Sequence, residues 1–294
     1  MNYLTKYALK KVTRRGFLKA SVTGVLSAGL APSALAQIAK ASARNRTANY
    51  DHFIKDYLHK MKNFNVYHTG DIVLSRPDFN LLKSSTKRLD RLRRTVGHGN
   101  FHLLSFDDAL KTARNYSRVG GFSKAEINFL EKIFYEDASR YGFFGQKPLK
   151  TLTDEISRRN VVKIPYSGNY LYKGQPVVTY EHIKQTVGDQ VILTSGVRSV
   201  MKQFLLFLNK AYNHKGNLSL ASRSLAPPGY SYHGVGDFDV GQVGFGAANF
   251  TERFITTDVF SQLKDLGYLT LRYPQDNLLG VRYEPWHIKV HAKV

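Results

Sequence analysis

Two short stretches hold the side chains best suited to chemistry. The run SYHGVGDFDV at 231–240 offers one imidazole, His233, followed by two carboxylates, Asp237 and Asp239. Later, EPWH at 284–287 offers the carboxylate of Glu284 three residues before a second imidazole, His287. Two histidines and an aspartate are a sufficient protein ligand set for a catalytic zinc ion, which keeps a further position open for water. On the metal the pKa of that water falls from 15.7 towards about 7, and a nearby glutamate can take the proton. The two stretches therefore predict a zinc site for hydrolysis, with Asp237 and Asp239 both open as the third ligand.

Such a site needs elements that bring distant residues together. The segment around Asp237 and Asp239 reads as a short strand, on which residues two apart share a face, so both carboxylates can point the same way. Glu284 and His287, three apart, would face opposite sides of a regular strand. Pro285 predicts an edge or an irregular bend there, which lets them converge. Upstream, residues 190–194 read as a strand that runs into SGVRS at 195–199. A helix carrying Met201, Phe204, Leu205 and Leu208 follows. Pro227, Pro228 and Gly229 make a turn into the histidine stretch. Residues 161–164 and 176–179 read as β-rich runs, Asp258 as the N-cap of a helix ending at Gly267, and the chain closes on an aromatic strand pair.

The first half of the chain has another character. Residues 37–65 are polar and basic, with a short helix expected over 50–62. Residues 81–96 set Leu82, Leu89 and Leu92 among Lys83, Lys87, Arg88, Arg91, Arg93 and Arg94, the pattern of an amphipathic helix with a solvated basic face or a surface for an anionic polymer. Ser105 with Asp108, and Ser123 with Glu126, have the spacing of capping boxes. Ile127, Leu130, Phe134, Ala138 and Tyr141 recur at helical spacing before Gly142 and Gly145. The expected fold class is α+β: a mainly helical N-terminal region at 37–150, then a small antiparallel-sheet catalytic domain at 151–294.

The formal charge is +21, of which six units come from Lys6, Lys10, Lys11, Arg14, Arg15 and Lys19 in an acid-free segment at 1–36, leaving +15. An excess of that size implies a polyanionic neighbourhood: nucleic acid, anionic lipid or the polymers of a cell envelope. TRRGFLK at 13–19, a weakly apolar run at 20–30 and Ala34-Leu35-Ala36 resemble a bacterial twin-arginine (Tat) signal peptide. That resemblance implies recognition by the Tat export machinery, a mature start near Gln37 and a periplasmic or extracellular location. The apolar run is shorter than the ~20 residues a bilayer requires, which argues against a membrane anchor. With no cysteine in the chain, thiolate ligation of zinc is excluded, and stability must come from core packing and from the metal.

Taken in order, SGVRS at 195–199, Ser231-x-His233-x-x-Gly236 with an Asp after it, and Glu284-Pro-Trp-His287 resemble the VanY-like zinc D-alanyl-D-alanine carboxypeptidases. The resemblance covers roughly residues 190–290. It implies zinc held by His233, Asp239 and His287, with Glu284 as general base. It further implies that Arg198 binds the substrate's anionic oxygen and that Gln203 and Ser231 lie on the substrate side; Arg272-Tyr-Pro274 matches as well. The spacing from His233 to Asp239 is one residue shorter than the family's usual one. Aligning Asp239-Val-Gly241 with the family's Asp-hydrophobic-Gly ending favours Asp239 and leaves Asp237 as the fallback. The implied activity is hydrolysis of D-alanyl bonds in peptidoglycan stem peptides, by a carboxypeptidase or a related endopeptidase. A non-catalytic envelope-binding protein that keeps the fold is the alternative. A nucleic-acid binder is disfavoured by the export signal and by the lack of a recognised nucleic-acid motif.

Overall fold

A computed structural model describes residues 54–267 and 270–290. The twin-arginine segment lies outside them. Residues 54–62 are helical (α1), and then Ser75 caps α2 (Arg76–Val96) by accepting from the Asp78 amide, with Pro77 in the first turn. Leu82, Leu89 and Leu92, on one stripe of α2, are fully buried, and each contributes roughly 1.5–3 kcal/mol of transfer free energy. The short α3 (His98–Phe101) follows. Ser105 caps α4 (Phe106–Asn115), and Ser123 with Glu126 forms a complete capping box on α5 (Lys124–Tyr135). The same Glu126 carboxylate takes Arg88 of α2 at 3.1 Å, so the cap also ties the two helices together.

Beyond residue 150 the secondary structure changes, but the packing does not break. Side chains of α2, α4 and α5 share one apolar cluster with Phe204, Phe207 and Leu208 of α7 (Val200–Asn213) and with Leu218 and Ala221 of α8 (Leu218–Ser224). A second cluster joins the sheet to α6 (Gln175–Val187) and α9 (Asp258–Asp265). Residues 176–179, expected to be β-rich, are instead helical. Pro176 sits in the first turn of α6, and Pro176, Tyr180, Ile183 and Val187 form its buried stripe, so helical periodicity outweighs the local β-propensity of Val177 and Val178. Thr257, not Asp258, caps α9; Asp258 is its first helical residue, where its charge complements the helix dipole.

The small sheets are antiparallel. One hairpin pairs β1 (Val161–Lys163) with β2 (Tyr170–Tyr172). The other sheet has the order β3 (Val191–Ser195), β4 (Phe238–Gln242), β5 (His287–Ile288). Its register sets Asp239 opposite Ser195 on one side and opposite His287 on the other. The closing strand pair expected from sequence shrinks to β5 and a single bridge between Leu271 and Ile288. Among the described residues no helix is long and apolar enough to cross a membrane.

Candidate metal centre

Asp239 is pinned in the middle strand, and its neighbours arrive by different routes. His233 sits in a one-turn 3-10 helix at Tyr232–Gly234, directly after the Pro227-Pro228-Gly229 turn. His287 opens β5 after a tight turn in which its amide donates to the Glu284 carbonyl at 3.2 Å. That turn replaces the regular strand geometry, as Pro285 predicts, and it turns the Glu284 carboxylate and the His287 ring to the same side. Glu284 Oε2 lies 3.4 Å from His287 Nδ1.

The tautomers follow from the outer partners of the rings. His233 Nδ1 meets the Gly196 carbonyl oxygen at 2.8 Å; a carbonyl only accepts, so Nδ1 carries the hydrogen and Nε2 presents a lone pair. His287 Nε2 meets the Asp237 carboxylate at 3.0 Å, so Nε2 donates and the lone pair lies on Nδ1. Both lone pairs face one atom, Asp239 Oδ1, at 3.3 Å from His233 Nε2 and 3.4 Å from His287 Nδ1. That oxygen is buried and receives no hydrogen bond. Three acceptors turned on one another in a buried pocket are stable only with a positive charge between them. Ligand atoms about 2.0–2.2 Å from a tetrahedral zinc stand roughly 3.3–3.6 Å apart, which fits both distances. His233, Asp239 and His287 form the group of His, Asp and Glu side chains, among the described residues, whose ligand atoms all fall within 4.8 Å of one another.

The electrostatics agree. Burial and the Arg198 charge push His233 down, so it stays neutral and able to ligate. Burial works against a charge on His287 too, but its bonds to Asp237 and Glu284 and the charge of Asp239 prevail and push it up to about 10. The pocket thus calls for one cation at His287 Nδ1, and a metal can take the place of that proton.

Asp237 stands behind the ring. Its Oδ2 accepts from His287 and from Arg272 Nε at 2.8 Å, and its Oδ1 accepts from Arg272 Nη2 at 3.1 Å and the Val290 amide at 3.0 Å. Burial would raise its pKa, but these bonds to His287 and Arg272 outweigh it and hold the carboxyl well below its usual range. Asp237 thereby fixes the tautomer that leaves His287 Nδ1 free to ligate a metal. The Arg272 guanidinium in turn lies over the Tyr232 ring, 3.6 Å from its centroid.

Arg198 lines the site and is largely committed. Its Nη1 donates to Gln203 Oε1 at 3.1 Å, and its Nη2 donates to Ser195 Oγ at 2.9 Å and reaches Asp239 Oδ2 at 3.5 Å; its buried Nε has no partner. The guanidinium therefore holds Asp239 with Oδ1 towards the imidazoles. Gln203, read as a substrate-side residue, sits behind Arg198: its amide also donates to the Ala226 carbonyl, and it does not line the cavity. Ser231 does line it, together with Glu284 and all three candidate ligands. The cavity holds about 430 Å3, within the range of small-ligand sites. Sequence reading missed His98, His102, Lys202 and Arg282 on its wall. No motif marks them, since they come from segments that meet only on folding.

Residues 179–293 match the family model described as VanY, D-alanyl-D-alanine carboxypeptidase. No curated protein matches the chain. Several solved structures are similar to it, among them the following three. The vancomycin resistance D,D-pentapeptidase VanY, a mutant in complex with Zn(II), is 23% identical over 51% of this chain and 88% of that one, with a TM-score of 0.38. VanYB in complex with D-alanine-D-alanine is 24% identical over 46% and 83%, at 0.34. The LdcB LD-carboxypeptidase is 24% identical over 44% and 62%, at 0.35, so the chain spans less than two thirds of the LdcB chain.

Proposed function

The chain is VanY-like over residues 179–293, and on that premise we propose that it is a zinc-dependent peptidase hydrolysing D-alanyl bonds in peptidoglycan stem peptides. The observation that carries this reading is the convergence of two imidazole lone pairs on the unpartnered Asp239 Oδ1, with the Glu284 carboxylate 3.4 Å from one of them. The donor set fits zinc in type and spacing, with His233, Asp239 and His287 as its ligands. Zinc, when bound, supplies a Lewis acid and an acidified water. Everything else in the reaction falls to the protein's own groups. Glu284, on the cavity wall, takes a proton from the attacking water and returns it to the leaving amine. Arg198, on the cavity wall, holds Asp239 through Nη2 and sets its positive charge beside the oxygen on which negative charge develops during the reaction. Asp237 keeps His287 in the ligating tautomer, and Gln203 keeps Arg198 in place. Ser231 flanks the bound peptide. The TRRGFLK motif supports export by the Tat route, so that the enzyme meets its polymer in the periplasm or outside the cell.

The test is incubation of the purified protein with muropeptides in three arms: untreated, with a chelator, and with Glu284→Ala. The untreated protein is expected to release a shortened peptide. Both other arms should lose this, with Glu284→Ala slower by about 10²–10⁴-fold while retaining its zinc. Identical products in all three arms would refute hydrolysis at this site.

A further inference from the structure

The same cavity has a second chemical character. Three of its lining residues, His98, His102 and Lys202, touch none of the candidate metal ligands, and the first two come from α3 and its C-cap, in the helical region that precedes the VanY-like segment. That region is stitched to the loop between β3 and α7. The Ser199 amide donates to the His102 carbonyl at 2.9 Å, and Ser199 Oγ donates to the Phe101 carbonyl at 3.3 Å. His102 Nδ1 donates to the Val197 carbonyl at 3.2 Å, which leaves Nε2 to accept from His98 Nε2 at 3.3 Å. Burial, helped by the Lys202 charge, pushes His102 down to about 3, so it is a neutral wall; His98 stands at the exposed rim.

Lys202 sits where its own surroundings disfavour it. It is the third residue of α7, in the turn where the helix dipole favours an anion. Burial, with Arg198 and Arg93 adding repulsion, pulls it down to about 8. Among the described residues no carboxylate lies within ion-pair distance of it. A cation kept in a cavity wall against its local electrostatics marks a ligand site more readily than a structural one. The other cations of the wall have protein partners for part of their guanidinium, and the Nε of each is buried without one: Arg198 as described, and Arg282 with its guanidinium 4.7 Å from the Phe64 ring centroid, 4.8 Å from that of Trp286, and donating to the Phe250 carbonyl.

We propose that Lys202, walled by His98 and His102, receives the terminal carboxylate of the peptide substrate, so that the helical N-terminal region forms part of the substrate site. This rests on the peptidase reading above. A second groove of about 720 Å3 adjoins the cavity, sharing Ser167, Asn169, Thr194 and Phe250 with its wall, and neither Lys202 nor the two histidines line it. That groove has room for the body of a peptide whose charged end lies at Lys202.

Binding separates this inference from the activity. In a Glu284→Gln background loaded with zinc, calorimetry compares a tripeptide ending in D-alanyl-D-alanine with the same peptide as its C-terminal amide. The acid is expected to bind at least about tenfold more tightly, as a charge-assisted hydrogen bond provides. Lys202→Met should reduce the acid to the affinity of the amide and leave the amide unchanged, Lys202→Arg should keep the preference, and zinc stoichiometry should stay intact in both. Equal binding of acid and amide before the lysine is changed, or an undiminished preference in Lys202→Met, overturns the subsite. Muropeptide hydrolysis by the unmodified protein, measured alongside, shows whether the peptidase reading survives that result.

Discussion

The replacement Asp237→Asn separates the two aspartates more sharply than any other change. Asp237 is 2% exposed and meets four fixed donors: His287 Nε2 and Arg272 Nε at Oδ2, Arg272 Nη2 and the Val290 amide at Oδ1. An asparagine has one acceptor oxygen and one NH2 group. Whichever way the amide is turned, its NH2 faces two of those donors, so two buried N–H groups lose their acceptor. At roughly 1–3 kcal/mol each, the zinc-free protein should lose about 2–6 kcal/mol of stability. The metal should still bind, because Asp239 and both imidazoles remain. Its affinity should fall by about 10–100-fold, or about 1.4–2.7 kcal/mol, the usual effect of removing a ligating histidine's carboxylate partner. Urea unfolding of the metal-free proteins reads the first effect, and competition with a chromophoric chelator reads the second. Unaltered stability and zinc affinity would refute the reasoning. So would complete loss of zinc in Asp237→Asn beside full retention in Asp239→Asn, since that would exchange the roles of the two residues.

Other outcomes follow from the same geometry. His233→Ala, Asp239→Asn and His287→Ala should each lose stoichiometric zinc by elemental analysis, and full retention in any of them would remove that residue from the ligand set. The buried pair of Asp71 and Arg223, 2.7 Å apart, ties the segment before α2 to α8, and Asp71→Ala should cost about 3–5 kcal/mol in urea unfolding because it strands the guanidinium. Burial would raise the Asp71 carboxyl, but Arg223, Asn217 and the His68 amide outweigh it and hold it low. Its stabilisation should therefore be complete above the ordinary aspartate pKa of about 3.9 and be lost as the pH falls through the lower folded value, a loss that Asp71→Ala should not show. Gly196→Ala would drive a Cβ into the Tyr170 carbonyl oxygen while the Gly196 carbonyl holds His233. Destabilisation of about 1–3 kcal/mol with weakened zinc binding is expected, and a variant indistinguishable by both measures would show that the loop yields without cost.

Sequence alone determined what local chemistry and periodicity can encode. The helix caps at Ser105 and Ser123, the leucine stripe of α2, the bend at Pro285 and the inventory of two imidazoles, carboxylates and a glutamate are all written in neighbouring residues, because capping bonds and helical faces span only a few positions. Residues 176–179 show the limit. Two adjacent valines suggest a strand, while the stripe that makes them helical becomes visible only with the partners of Tyr180, Ile183 and Val187 in view. The choice between Asp237 and Asp239 also lay beyond local reading, since both suit the strand pattern. Tertiary structure separates their positions through register: Asp239 pairs with His287 across the sheet, whereas Asp237, just before the strand, meets the far nitrogen of the same ring. The meeting of α3 with the β3–α7 loop, and with it the place of Lys202 beside His98 and His102, was decided the same way. Hydrogen bonds and burial link residues about a hundred positions apart there, and a linear pattern carries no term for such pairs.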